Sequence, residues 1–138
     1  MGAFSDYLEG KILAWAKGTT MPSAPSTLYV GLLTVAPADT GTAGAPSDGT
    51  EVSGNNYARV AVAWNAVTAS GTTQQMTNNG VISFPTPSGS WGTVVAWGIW
   101  DASSAGNLLF WDTQTPNKTI STSDVVQFAD TVLVVSVD

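Results

Sequence analysis

Residues 91–101, WGTVVAWGIWD, decide the fold. They form the most hydrophobic and most aromatic run of that length in the chain and hold three of its six Trp residues. Side chains alternate across a strand, so Val94, Ala96, Gly98 and Trp100 fall on one face and Val95, Trp97 and Ile99 on the other. Both sets are apolar, and a strand that is apolar on both faces lies at the centre of a sheet or beneath a partner. Each indole buries on the order of 200 Å². The stretch predicts the central strand of an all-β core, with its aromatics either packing that core or stacking on a bound ligand or sugar.

Outward from this strand the same pattern repeats. Asp101–Gly106, DASSAG, reads as a turn, and LLFWD returns beside the central strand to make a hairpin, adding Phe110 and Trp111. KTI, VVQF and TVLVVSV supply closing strands. On the N-terminal side, VISF is a short strand, Pro85 and Pro87 limit further pairing, and Thr77-Asn78-Asn79-Gly80 is a turn whose Asn and Gly tolerate positive φ. YARVAVAW places Val60, Val62 and Trp64 on one face, and TLYVGLLTV is apolar on both. Arg59, the one arginine, belongs to an edge strand or to a salt bridge. Strand-sized units about ten residues apart with turns between them indicate a sandwich or barrel. The predicted fold is an all-β antiparallel sandwich, jelly-roll-like, with one N-terminal α-helix, in a single domain over residues 1–138.

That helix is expected from about Asp6 to Lys17, within an N-terminal segment of residues 1–18. Phe4, Leu8, Ile12 and Trp15 share one helical face, and Leu13 and Ala16 widen it. Ser5 is placed to cap the start, Asp6 and Glu9 suit the positive end, Lys11 and Lys17 the other, and Gly18 supplies a stop. The apolar face covers the domain's own sheet or docks on a neighbouring subunit or a scaffold protein. Residues 37–56, PADTGTAGAPSDGTEVSGNN, lose all periodicity and read as a long surface loop. Asp39, Asp48 and Glu51 within it match no calcium-binding spacing and read as solvated acids. Phe4, Leu8, Ile12 and Trp15 on the helix, with Asp39, Asp48 and Glu51 in the loop, are the candidate partner-binding residues.

Composition narrows the function. Only 10% of residues are charged, the net charge is −6, and the four basic residues (Lys11, Lys17, Arg59, Lys118) are scattered, so no positive stripe exists for nucleic acid or an anionic membrane. The N-terminus lacks the basic region of a secretory signal, and no apolar run approaches a membrane span. With no His and no Cys there is no imidazole base, no thiol nucleophile, and none of the usual zinc or iron ligand sets. No cofactor is expected. Asp101 and Asp112 are the one carboxylate pair that a glycosidase reading could use, if they face each other across the hairpin. Both also sit at strand ends, where Asp caps turns.

Taken together, FSDYLEGKIL at 4–13, TLYVGLLT at 27–34, EVSGNNYARVAV at 51–62, ISFPTPSGSWGTVVAWGIWDA at 82–102, GNLLF at 106–110 and the terminal LVVSVD resemble a family of small tailed-phage virion proteins. Its members are often labelled tail-fibre proteins. The resemblance runs in order through nearly the whole chain, departing at an Ala/Pro-rich insert around Thr42–Asp48. It implies a structural part of a bacteriophage virion, assembled in the host cytoplasm, with no catalytic residue inherited. The first expectation is a capsid decoration or cement protein, homo-oligomeric and trimeric, that binds the major capsid protein and stabilises the head shell. The alternative is a tail-fibre or baseplate component that binds tail proteins and contacts the host surface. A glycan-processing enzyme is a third reading that the missing residues disfavour.

Overall fold

A computed structural model describes residues 3–37 and 49–137. In chain order the elements are β1 (Ala3–Phe4), α1 (Asp6–Ala16), β2 (Leu28–Val35), β3 (Thr50–Glu51), β4 (Val60–Val62), β5 (Thr68–Ser70), β6 (Thr73–Thr77), β7 (Ile82–Ser83), β8 (Gly92–Trp100), β9 (Leu108–Ile120), β10 (Gln127–Phe128) and β11 (Val134–Val137). Every pairing is antiparallel. Six strands form the main sheet in the order β1-β9-β8-β2-β3, with β4 also on β2. Facing it are two ribbons, β10-β7 and β11-β6-β5. The layers are therefore unequal, six strands against ribbons of two and three, rather than two matched jelly-roll sheets.

β8 is central, as its apolar faces require. It pairs with β2 from Trp100↔Tyr29 to Ala96↔Leu33 and with β9 from Gly92↔Ile120 to Trp100↔Leu108. The first face carries Val30, Leu32, Val94, Trp97, Ile99 and Ile120, packed on Ile82, Phe84, Leu133 and Val135 from the opposite layer. The second face carries Leu33, Ala96, Trp100 and Leu108. Strict alternation fails at one point. The six residues of β9 from Thr113 to Lys118 run past three of β8, from Ala96 to Val94, so the register slips. Val94 consequently joins Trp97 and Ile99, while Val95 packs with Ala96 and Trp100.

The part of the predicted 37–56 loop that the structure describes from Gly49 on is fixed. Val52 is in the core and its N–H donates to the Leu32 carbonyl, extending the pairing of β3 with β2. Gly54, Asn55 and Asn56 take positive φ and turn the chain back. Asn55 Nδ2 then donates to the Ser90 carbonyl, Asn56 Nδ2 to the Thr86 carbonyl, and Trp91 Nε1 to the Asn55 carbonyl. These are neutral hydrogen bonds in place of charges. From Ala61 to Trp100 forty residues pass without one Asp, Glu, Lys or Arg.

The predicted 77–80 turn has a second role. Asn78 is fully buried, its Nδ2 donating to the carbonyls of Gly80 and Ala129 and its Oδ1 accepting from the Leu133 N–H. It ties the end of β6 to the segment that enters β11, because a buried amide must find partners for both of its ends.

Trp97 lies on the packed face between the layers. Trp97→Ala is expected to cost about 3–5 kcal/mol through lost burial and the cavity left behind. Urea denaturation of the purified variant checks this.

Candidate interaction surfaces

Among the described residues, the second face of the main sheet has no facing sheet, and a polar cluster closes it. Gly31 on β2 and Gly98 on β8 are directly opposed in register. Their missing side chains leave a bed for the Trp100 indole. A Cβ at Gly98 would stand 2.7 Å from Trp100 Cη2, and one at Gly31 would stand 2.9 Å from Trp100 Cζ3 and 2.7 Å from Tyr57 Oη. Over the ring lies Arg59, its Cζ 4.1 Å from the ring centroid. Its guanidinium meets Glu51 in a forked pair, Nε to Oε1 at 2.8 Å and Nη2 to Oε2 at 2.7 Å. Nη1 donates to the carbonyls of Ala102 and Ala105 in the β8–β9 turn, and Tyr57 Oη accepts from the Leu32 N–H while donating to Glu51 Oε1. Of the two readings of Arg59, the salt bridge holds, with 7% of its side chain exposed.

Glu51 was expected to be a solvated acid and is instead half-buried in this pair, because β3 and the turn after it bring residues 51 and 59 to one side of β2. Asp39 and Asp48 lie outside the described residues. Asp101 and Asp112 do not oppose each other. Asp101 holds the turn by accepting from the Asn107 backbone and side chain, whereas Asp112 pairs in register with Trp97. Among the described residues, no cluster of His, Cys, Asp and Glu could hold a metal ion.

The N-terminal segment is tethered at one end only. Ser5 caps α1, its Oγ accepting from the Leu8 N–H while donating to the Leu108 carbonyl, and the Phe4 ring rests 5.4 Å from that of Phe110. Beyond this point the helix is only partly covered. No residue of α1 is buried; Leu8 and Ile12 are half-covered, while Leu13 and Trp15 are 71% and 60% exposed. Residues 17–26, which include Pro22 and Pro25, are exposed throughout. Sequence reasoning named Phe4, Leu8, Ile12 and Trp15 but did not separate the tethered start of the stripe from its free end.

A second surface, lined by both apolar and polar side chains, opens at the side of the sandwich. β10 pairs only with β7, and the far half of β9 has β8 alone as its neighbour, so the layers gape between them. The slot has a volume of about 600 Å³ and is walled by Leu32, Val94, Ile120, Val126, Phe128 and Val132 among others. Lys118 and Asp124 also line it, and no residue of the N-terminal segment does. Sequence reasoning missed this surface, since its walls lie on strands far apart in the chain.

Residues 3–136 match the family described as Podophage GP4 fiber I protein gp80. The chain belongs to that family. Among curated proteins none matches it. Membership makes it a structural component of the phage virion, associated with other virion proteins. The stretches that carried the resemblance in sequence supply the cluster over Trp100: TLYVGLLT holds Gly31, EVSGNNYARVAV holds Glu51, Tyr57 and Arg59, and the long central stretch holds Gly98 and Trp100 itself. In this family member, those segments build a clasp in which Arg59, Glu51 and Tyr57 are hydrogen-bonded to one another and to the backbone.

Burial, and next the Glu51 carboxylate beside it, raise the Tyr57 phenol far above its ordinary value of 10.0. The unfolded chain releases this proton near pH 10 and the folded chain keeps it, so the contribution to stability is complete below pH 10 and is lost as pH rises above it. Thermal melting followed from neutral pH into the alkaline range is expected to fall more steeply above pH 10 for the natural chain than for Tyr57→Phe.

Proposed function

We propose that this chain is a structural module of a phage fibre and acts by protein–protein contact without catalysis. The observation that carries this reading is the family match through residues 3–136, whose description is that of a fibre protein. The structure supports a contact role. Five of the six Trp residues are buried or half-buried, which leaves Trp15 as the one exposed indole. The basic residues are too few and too engaged to hold DNA, since Arg59 is spent on Glu51.

Quantitative mass spectrometry of purified particles tests the location. A fibre module is expected at many-fold fewer copies than the major capsid protein. A copy number comparable with that of the shell protein would overturn the fibre reading and return the chain to the head as a decoration protein. Attachment through apolar and backbone contacts resists screening, because the Debye length shrinks from about 10 Å at 0.1 M salt to about 3 Å at 1 M without touching apolar burial. Particles washed in molar salt are therefore expected to retain the protein, as immunoblotting of the pelleted particles would show, and to shed it in denaturant.

A further inference from the structure

The chain has one Asn-Gly step, Asn79-Gly80, and it stands in the turn that fastens β6 to the segment entering β11. Asparagine before glycine is the sequence most prone to deamidate, because no side chain on the second residue obstructs its main-chain nitrogen. That nitrogen, once it has given its proton to solvent, attacks the asparagine Cγ. An N–C bond forms, the Cγ–Nδ2 bond breaks, and ammonia leaves with a proton taken back from water. Water then opens the five-membered succinimide. Opening at Cγ gives aspartate, and opening at the main-chain carbonyl carbon gives isoaspartate, in which the main chain runs through Cβ and Cγ. The sum is one water consumed and one ammonia released, with nothing oxidised or reduced.

We propose that Asn79-Gly80 is a site of this modification and that the Asp130 carboxylate holds the reaction in check. Both reacting groups are accessible. Asn79 is exposed, and its carboxamide has no partner among the described residues. Gly80 takes a φ of 91°, and a Cβ there would meet nothing within 4 Å. Asn78 differs, since it is fully buried and both ends of its amide are bonded. What opposes the attack is a contact from fifty residues further along the chain, where Asp130 Oδ1 accepts the Gly80 N–H at 2.8 Å. Accepting that proton stabilises the protonated nitrogen, and a carboxylate at hydrogen-bond distance disfavours the anionic nitrogen as any like charge does. The frame of the turn is pinned by the Asn79 N–H donating to the Ala63 carbonyl and the Thr131 N–H donating to the Asn78 carbonyl, but neither bond engages the Gly80 nitrogen. Conversion would strike at the tie between the strands. Isoaspartate adds a carbon to the main chain between Asn78 and the Gly80 carbonyl that Asn78 Nδ2 holds, and either product sets a second carboxylate near Asp130. This goes beyond the fibre reading, because it concerns how long the fold lasts and not where the chain sits in the particle.

Full-length protein is aged at neutral pH below its melting temperature, and residue 79 is followed by peptide mass spectrometry, with isoaspartate read by enzymatic methylation. The same protein in urea, where Asp130 no longer faces the turn, gives the unprotected rate. The folded parent is expected to convert more slowly than the urea-unfolded chain, and folded Asp130→Ala to convert about tenfold faster than the folded parent, the effect of lifting one unit of like-charge suppression. Asp130 is exposed, so the variant is expected to melt within a few degrees of the parent, and ageing it below its own melting temperature keeps unfolding out of the rate. Should Asp130→Ala fail to fold, Asp130→Asn retains an acceptor without the charge and is likewise expected to exceed the parent rate. A folded parent that converts as fast as in urea, or a folded Asp130 variant that converts no faster than the parent, would overturn the proposal. Neither outcome bears on the copy number that tests the fibre reading.

Discussion

Trp100 is buried on a face of the six-stranded sheet that no second sheet among the described residues covers, and over it lies the Arg59 guanidinium, 4.1 Å above the indole centroid. A charged group can serve as a lid there because all of its demands are met. Glu51 takes two N–H groups, two turn carbonyls take Nη1, and the aromatic face takes the flat side of the cation. Remove one partner and the lid becomes a buried, uncompensated charge. The arrangement also draws three separate parts of the chain together: β3, the start of β4, and the turn between β8 and β9. The central strand can be apolar on both faces in a protein with two unequal layers because this cluster substitutes for a third.

Elsewhere the structure is held by neutral dipoles. Asn78 ties the end of β6 to the segment before β11, and Asn55 and Asn56 fasten the turn after β3 to residues 86–91. These amides sit where strands of two to five residues end, and such short strands have few ladder bonds of their own. Side-chain amides, which donate and accept, complete the pairing that short ladders leave unfinished.

The parts of this fold legible in sequence are those set by local pattern. β8, the β8–β9 hairpin, the Ser5 cap and the Gly18 stop all follow from residues within a few positions of one another. Glu51 was illegible because it stands in a Gly- and Ser-rich stretch with no periodicity, and its role depends on Arg59 arriving on the same side of β2. The slip that moves Val94 to the packed face arises from extra residues on β9, so no reading of β8 alone reveals it. Gly31 and Gly98 did carry a signal, since glycine inside an otherwise strong strand often marks close approach of another group. What could not be read was that the two stand opposite each other under the same indole. The stripe on α1 was visible at once, yet periodicity records only which residues share a face, not whether anything lies beneath it.

The forty residues from Ala61 to Trp100 contain no Tyr, His or Cys in addition to lacking acids and strong bases. No side chain in that span has a proton to gain or lose in the range where proteins operate. The strands from β5 to β8 therefore present the same electrical face in an acidic habitat as in an alkaline one, and every change of charge is confined to the segments before and after them. For a particle that must persist between hosts in whatever water it meets, such a span is a built-in form of chemical constancy.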